Sequence, residues 1–230
     1  MSPAPAVSSA DARAELAALC ARGIDWRLDP SRTITLGSAT RPAAVLVLFG
    51  RLDATSADTA RPAVAADLDV LLQRRAGTLG HHAGQVAFPG GRLEPTDDGP
   101  VAAALREAGE EVGLDAAGVE VLGTLGSLPV PVSNHLVTPV PAWWTTPSRV
   151  AAVDHAETVD VFRLPVADLL DPANRASVAH TRAGVTFRTP AFVVDGVLVW
   201  GFTAIVLSRM FDALGWAVPW DDRRLVTPEV

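Results

Sequence analysis

The sequence predicts an α/β (α+β) fold in which a mixed β-sheet is sandwiched between α-helices. Short aliphatic or β-branched runs, which are typical of buried strands, outnumber the segments with helical periodicity. The two longest helical segments span 101–112 and 201–214, and neither an internal repeat nor a linker divides the chain. Such strands and helices are expected to pack as layers around a shared core.

Composition limits the classes of protein to which the chain can belong. Its 230 residues are 49% hydrophobic, which is enough for a sizeable core. The 19 basic and 26 acidic residues give a net charge of -7, which argues against binding the nucleic-acid backbone. The longest apolar stretch, 197–207, is too short to cross a bilayer, and residues 1–10 lack the basic and apolar regions of a signal peptide. We therefore expect a cytoplasmic protein with no nucleic-acid or membrane partner.

The individual elements follow from periodicity and from residues that begin or end helices. Ser9 can cap a helix over 9–22, which belongs to an N-terminal extension, residues 1–30, ahead of a single domain, residues 31–230. A shorter helix is expected at 166–170. The expected strands are 43–48, 70–73, 85–88, 120–125, 136–143, 158–162, 185–189 and 192–200.

Two connections between strands are informative. The segment 51–66 is rich in Ala, Asp, Ser and Thr, and we expect it to be a mobile surface loop. Asp195 and Gly196 lie between two apolar runs, which is a strong signal for a tight β-hairpin.

The most informative segment, 88–114, reads as the end of a strand, a glycine loop and a helix. Pro100 suits the first turn of that helix, and Gly113 stands where a helix end favours a left-handed residue. One face of the helix is apolar and mostly small, so the helix can pack closely on the sheet and hold its opposite face rigidly. The apolar residues are Val101, Ala104, Leu105, Ala108 and Val112.

Three glutamates lie together on the same helix. Glu107, Glu110 and Glu111 are spaced i, i+3 and i+4, which brings their carboxylates onto one side. Such like charges cost roughly 0.2–0.5 kcal/mol per pair on an exposed helix, so a bound cation explains the cluster better than a solvated acidic face does. Hard oxygen ligands suit Mg²⁺ or a similar divalent ion. We expect Arg106 to pair with an acidic residue of the loop 94–98 and to tie that loop to the helix.

The helix also carries a known motif. The run 106–114, Arg-Glu-Ala-Gly-Glu-Glu-Val-Gly-Leu, resembles the core of the Nudix box, Arg-Glu-aliphatic-x-Glu-Glu-x-Gly-aliphatic, with Ala108 smaller than the usual residue. In the first half of the box the general pattern has a glycine at the position of Arg92 and a glutamate at the position of Asp98, whereas Gly91 lies one residue earlier. This longer loop is similar to that of the Nudix branch that acts on coenzyme A.

The residues ahead of the glycine loop are similar to the same branch, whose lead-in is Leu-Leu-Thr-x-Arg-Ser and then Leu-x-x-His-x-Gly-Gln-Val-x-Phe-Pro-Gly-Gly. This chain has Leu-Leu-Gln-Arg-Arg-Ala at 71–76, then Leu79, His82 and Gly-Gln-Val-Ala-Phe-Pro-Gly-Gly at 84–91. Gln73 and Ala76 depart from the pattern.

The resemblance implies an enzyme with a Nudix-like mixed β-sheet between α-helices. The implied reaction is hydrolysis of the diphosphate of coenzyme A or acyl-coenzyme A to 3',5'-ADP and 4'-phosphopantetheine or its acyl derivative. The implied cofactor is Mg²⁺ or Mn²⁺, with Glu107 and Glu111 as the main ligands. Glu110 would hold a ligand water or a second ion, and Gly91 would add a carbonyl oxygen.

The resemblance also gives other residues candidate roles. Glu110 or Glu157 is the implied general base, and Arg106 is the third candidate for the catalytic machinery. The candidate contacts to a small-molecule nucleotide substrate are Arg74, Arg75, His82 and Arg92. Arginine suits such contacts because its guanidinium can bind a phosphate through two N–H groups.

Two other functions stay open. The same apparatus could act on ADP-ribose, a dinucleotide or another nucleoside diphosphate derivative, although the lead-in favours coenzyme A. A non-catalytic ligand-binding module would keep the fold alone, and the presence of Arg106 and all three glutamates argues against it. Whether the chain forms a homodimer is also open.

Overall fold

The structure is a computed structural model that describes residues 9–26, 40–51, 68–77, 84–182 and 184–228. The helices are α1 (Ser9–Arg22), α2 (Pro100–Val112), α3 (Val166–Leu170) and α4 (Gly201–Leu214). The strands are β1 (Arg41–Arg51), β2 (Leu68–Arg75), β3 (Val86–Ala87), β4 (Gly90–Arg92), β5 (Val119–Val121), β6 (Leu128–Val130), β7 (His135–Trp144), β8 (Thr158–Pro165), β9 (Arg175–Arg182), β10 (Val185–Val194) and β11 (Val197–Val199). Within the described ranges, no helix is both long and apolar enough to cross a membrane.

Strand β1 is the centre of an eight-stranded sheet. It pairs in parallel with β7, and it pairs antiparallel with β2 and β4. The hydrogen-bonded order is β3-β2-β1-β7-β5, with β4 also on β1, β6 on β7 and β8 on β2. The sheet is therefore mixed, as the sequence predicts.

The side chains of β1 show that layers cover both faces of this sheet. Successive side chains of a strand point to opposite faces. Leu46 and Leu48 pack in a cluster with α2, whereas Val47 and Phe49 pack in a larger cluster with α1 and α4. All four are fully buried. Helices on both faces confirm the predicted sandwich.

Helix α1 is part of the larger cluster. Ala12, Leu16 and Leu19 are fully buried in it. Trp216, which follows α4, donates its indole N–H to the Glu15 carboxylate at 2.5 Å. The N-terminal helix therefore packs directly on the elements that form the core.

A second sheet is antiparallel and has the order β11-β10-β9. The turn between β10 and β11 has positive φ at Asp195 (49°) and Gly196 (77°), as a type I′ hairpin turn requires, which confirms the predicted hairpin. The sequence predicts separate strands at 185–189 and 192–200, whereas β10 runs without a break from Val185 to Val194. The predicted break at 190–191 is therefore wrong. Because β11 pairs only with Phe192–Val194, Pro190 has a strand neighbour on one side only, and proline is tolerated at such an edge.

Three strands are not predicted by the sequence, and the strands predicted at 85–88 and 120–125 are too long, since β3 and β5 are shorter. Strands β4 and β6 are short and contain glycine or proline, and β9 lacks a run of large aliphatic residues. Regular pairing of β5 with β7 ends at Val121, and Gly123, whose φ is 147°, interrupts the strand beyond it. The N–H groups of Leu122 and Leu125 still donate to the Pro141 and Pro139 carbonyl oxygens of β7. Apart from Arg51, which ends β1, the expected surface loop at 51–66 lies outside the described residues.

Leu46→Ala tests the central position of β1. Leu46 is fully buried, so the substitution leaves a cavity and is expected to lower the free energy of unfolding by about 2–5 kcal/mol. Urea denaturation measures this loss. Leu225→Ala is the matched control, because Leu225 is 53% exposed and its truncation should cost less than about 0.5 kcal/mol. Equal losses in the two variants would contradict this description of the core.

Candidate active site

Helix α2 is held close to the sheet by small side chains. Ala103, Ala104 and Ala108 are fully buried against the cluster that includes Leu46 of β1. The helix ends at Gly113, which adopts the left-handed conformation with φ 68°. This close packing fixes the position of the acidic face that the sequence predicts.

Two glycines let the loop before α2 approach its neighbours. Gly90 has φ 151°, and a Cβ atom there would lie 2.3 Å from the carbonyl oxygen of Ala44. A Cβ atom at Gly91 would lie 2.3 Å from Oε1 of Glu107. Glycine is required at Gly90, where the backbone of β1 leaves no room for a Cβ atom, and glycine at Gly91 lets the loop lie against the Glu107 carboxylate without displacing it.

Glu111 is the most buried acidic residue of the helix, with 3% exposure. Its Oε2 accepts hydrogen bonds from the Gly90 N–H at 2.8 Å and from Gln73 Nε2 at 2.7 Å. Arg75 Nη1 lies 3.7 Å from Oε1. Burial raises the pKa of Glu111 to about 7, although these three groups oppose that shift.

Glu107 is partly buried and lies among other charges. Burial raises its pKa, Arg106 opposes the shift, and the negative charges of Glu110 and Glu157 add to it. Glu157 is exposed, and its electrostatic effect on Glu107 identifies it as a neighbour of the site. The side chain of Glu110 is 61% exposed and pairs with Arg106 Nη1 at 3.0 Å.

Arg106 joins the glycine loop to the helix. It donates to both Asp97 carboxylate oxygens at 3.0 Å and to the carbonyl oxygen of Arg92 at 3.1 Å. It also lies 3.2 Å from Glu107 Oε1. The Arg106 guanidinium holds the pKa of Asp97 below its usual range. The predicted pairing of Arg106 with an acid of the loop 94–98 is therefore confirmed, and Asp97 is that acid.

A cleft of about 360 Å³ opens beside the glycine loop. Its walls are mostly apolar, with contributions from Val45, Phe88 and Phe202. Arg92 donates from Nε to His135 Nε2 at 3.3 Å, and both residues line the cleft. Such a cleft can hold a ligand that has an apolar part and an anionic part.

The structure brings only part of the predicted substrate-binding set to this cleft. Arg75 and Arg92 line it together with Gly91, whereas Arg74 does not. His82 lies outside the described residues. The positions of Arg75 and Arg92, together with Glu107 and Glu111, put candidate phosphate-binding and cation-binding groups around one glycine loop.

Sequence reasoning missed three residues at the site. Gln73 and Thr158 are fully buried, and Thr158 Oγ1 donates to Gln73 Oε1 at 2.8 Å. The signal for Gln73 was a polar residue directly after two leucines in a buried strand. No sequence signal indicated His135, because its place at the cleft depends on the parallel pairing of β1 with β7.

The chemistry of the site fits a hard divalent cation. Among the described residues, no three His, Cys, Asp or Glu side chains form a cluster that could hold a metal ion by themselves. Mg²⁺ commonly needs only one or two protein carboxylates because it retains several waters. Glu107 and Glu111 provide two such carboxylates, and burial disfavours the charge of both in the absence of a cation.

Comparison with known proteins agrees with this geometry. Residues 58–183 match the model of the NUDIX domain family. The chain is 36% identical over 141 residues to a protein of Photorhabdus laumondii named uncharacterized Nudix hydrolase NudL, which covers 61% of this chain and 74% of that protein. A NudL protein of Yersinia pestis is 36% identical over 142 residues, which covers 61% of this chain and 70% of that protein.

A solved structure shares the fold. The crystal structure of RenU, a Nudix hydrolase from M. smegmatis, aligns with a TM-score of 0.50 and 19% sequence identity, covering 80% of this chain and 90% of RenU. With more than half of its residues inside the matching family model, the chain belongs to the Nudix hydrolase family, and its layered sheet and helices form the Nudix fold.

Proposed function

We propose that the protein hydrolyses the diphosphate of coenzyme A or acyl-coenzyme A, with Mg²⁺ or Mn²⁺ as cofactor. One observation carries the proposal: a mostly apolar cleft opens beside Gly91, which contacts Glu107, and two arginines line it. Coenzyme A combines a diphosphate with a long pantetheine arm, so its parts match the charged and apolar parts of the cleft. The sequence resemblance ahead of the glycine loop supports the same substrate.

The cation-binding role is assigned to the buried Glu111 and the partly buried Glu107. Nudix hydrolases generally use divalent metal ions. Glu107 and Glu111 would hold the ion, and the carbonyl oxygen of Gly91 would be a further ligand. When bound, the ion neutralises phosphoryl charge and lowers the pKa of a ligand water.

The protein's own residues orient the substrate and accept a proton. Arg75 and Arg92 bind and orient the diphosphate oxygens through their N–H groups. The oxygen of a water molecule forms a bond to phosphorus, the bridging P–O bond breaks, and the water proton passes to a carboxylate. Glu110 and Glu157 are the candidates for that base. Glu157 is favoured because Arg106 already pairs with Glu110 at 3.0 Å.

The substrate assignment is tested by product analysis. Purified protein is incubated with Mg²⁺ or Mn²⁺ and, separately, with coenzyme A, an acyl-coenzyme A, ADP-ribose and NADH. We expect 3',5'-ADP and a 4'-phosphopantetheine product, identified by mass. Faster turnover of ADP-ribose or NADH than of coenzyme A would overturn the substrate, and absence of turnover on all four would favour a binding module.

Glu111→Gln tests the assigned cation ligand. The substitution keeps the shape of the side chain and removes its charge, so kcat is expected to fall by at least about 10²-fold. Steady-state kinetics with the best substrate measures the loss. Glu120→Gln is the matched control, because Glu120 lies on β5 and pairs with Arg13 instead. Wild-type turnover in Glu111→Gln would remove Glu111 from the proposed site.

Glu111→Gln is also expected to change the stability of the protein. The folded-state pKa of Glu111 is about 7, above an unfolded value of about 4.3. The folded state therefore binds this proton more tightly, and the contribution of Glu111 to stability falls as the pH rises between these values. In EDTA at pH 8, Glu111→Gln is expected to melt at least about 2 °C above the wild type, because about 1 kcal/mol shifts Tm by roughly 2–4 °C in a protein of this size.

Thermal denaturation at pH 4 and pH 8 checks the sign. At pH 4 the difference between the two proteins should nearly vanish, since the wild-type carboxyl is then protonated in the folded state and mostly protonated in the unfolded state. Addition of Mn²⁺ at pH 8 should raise the melting temperature of the wild type more than that of Glu111→Gln. A Glu111→Gln protein less stable than the wild type at pH 8 in EDTA would contradict the account of the buried charge.

A further inference from the structure

We propose that Thr158 and Gln73 form a buried relay that sets which oxygen of Glu111 faces the cation. The proposal rests on the proposed function, because it assumes that Glu111 is a cation ligand. Neither Thr158 nor Gln73 would touch substrate or the reacting atoms. Both are positioning residues that act through Glu111.

The relay is a chain of short hydrogen bonds through the interior. Thr158 Oγ1 donates to Gln73 Oε1 at 2.8 Å, and Gln73 Nε2 donates to Glu111 Oε2 at 2.7 Å. Thr158 and Gln73 are fully buried, and Glu111 has 3% exposure. The three residues lie on β8, β2 and α2, so the chain connects two strands of the large sheet to the acidic helix.

The chemistry of the groups fixes the orientation of the amide. An amide oxygen can only accept a hydrogen bond, whereas an amide nitrogen can only donate. Because an ionised carboxylate can only accept, Nε2 of Gln73 must point to Glu111, which leaves Oε1 of Gln73 toward the Thr158 hydroxyl. This hydroxyl donates to Oε1 and holds the amide against Glu111, so removing it would take away the buried donor that Oε1 has there.

The Gln73 amide gives the two oxygens of the Glu111 carboxylate different partners. Oε2 accepts both from Gln73 and from the Gly90 N–H. Oε1 is left toward Arg75, whose Nη1 is 3.7 Å away. The structure therefore assigns Oε1 as the oxygen that Glu111 offers to a cation.

Thr158 and Ala76, the residue that follows β2, are tied to the turn that carries Glu157. The Thr158 N–H donates to the Asp154 carbonyl at 2.8 Å, and the Ala76 N–H donates to the Glu157 carbonyl at 2.7 Å. Strands β2 and β8 thus hold the relay and the Glu157 turn in one hydrogen-bonded unit. A substitution in the relay therefore acts on the cation site through Glu111, because neither Gln73 nor Thr158 lines the cleft.

Mn²⁺ affinity, measured by calorimetry or by the electron paramagnetic resonance of free Mn²⁺, tests the relay without any substrate. Loss of a group that orients a metal ligand typically costs about 10–100-fold in affinity, so we expect Thr158→Val to bind Mn²⁺ at least about 10-fold more weakly. Thr158→Ser keeps the hydroxyl and should restore tight binding. Thr189→Val is the matched control, since Thr189 is a buried threonine that hydrogen-bonds His180 in the second sheet.

A double variant separates a relay from a local structural defect. Gln73→Met removes the amide and should weaken Mn²⁺ binding by a similar factor. Because Thr158 acts through Gln73, adding Thr158→Val to Gln73→Met should cause little further loss. Thr158→Ala, alone and combined with Gln73→Met, serves the same comparison if the valine variants fail to fold, which thermal denaturation reports.

The outcomes distinguish the relay from the function on which it rests. Wild-type Mn²⁺ affinity in Thr158→Val or Gln73→Met, beside weak binding in Glu111→Gln, would overturn the relay and leave the cation site in place. Fully additive losses in the double variant would also overturn it. Wild-type Mn²⁺ affinity in Glu111→Gln would overturn the cation ligand itself, and the relay with it.

Discussion

The burial of the Glu111 carboxylate is the constraint on which the rest of the site depends. A buried charge destabilises a fold unless hydrogen bonds and opposite charges compensate it. Gln73, the Gly90 N–H and Arg75 compensate it only in part, since burial still raises the pKa of Glu111 to about 7. The protein therefore holds a negative charge where a divalent cation would stabilise it most.

Charged side chains and backbone groups hold the glycine loop against the Glu111 carboxylate. Gly90 allows a contact with the β1 backbone that any side chain would block, and Gly91 leaves the Glu107 carboxylate in place. Arg106 then fixes the far side of the loop through Asp97 and the Arg92 carbonyl. Loop and helix are joined by polar contacts at the site and by alanine packing at the sheet, and together these contacts set the position of the acidic face.

The net charge of -7 and a phosphate-bearing substrate are compatible because the relevant charges are local. Arg75 and Arg92 lie at the cleft, and bound cations would reverse the sign of the potential around Glu107 and Glu111. Composition argues against a general binder of nucleic acid, but the net charge of the whole chain does not give the charge inside a single cleft of about 360 Å³. The apolar walls of that cleft, rather than total charge, are the feature that favours a substrate with a pantetheine arm.

The sequence by itself determined the four described helices, most of the strands and the motif, because these depend on local periodicity and spacing. Helix α2, its glycine end, the hairpin at Asp195 and the pairing of Arg106 with a nearby acid need only residues close in the chain. Tertiary structure alone decided which acid of the helix is buried and which is exposed, since Glu111 and Glu110 are adjacent in sequence. It also brought Gln73 and Thr158 together across 85 positions, because contacts between strands depend on sheet order and register, which no local pattern encodes.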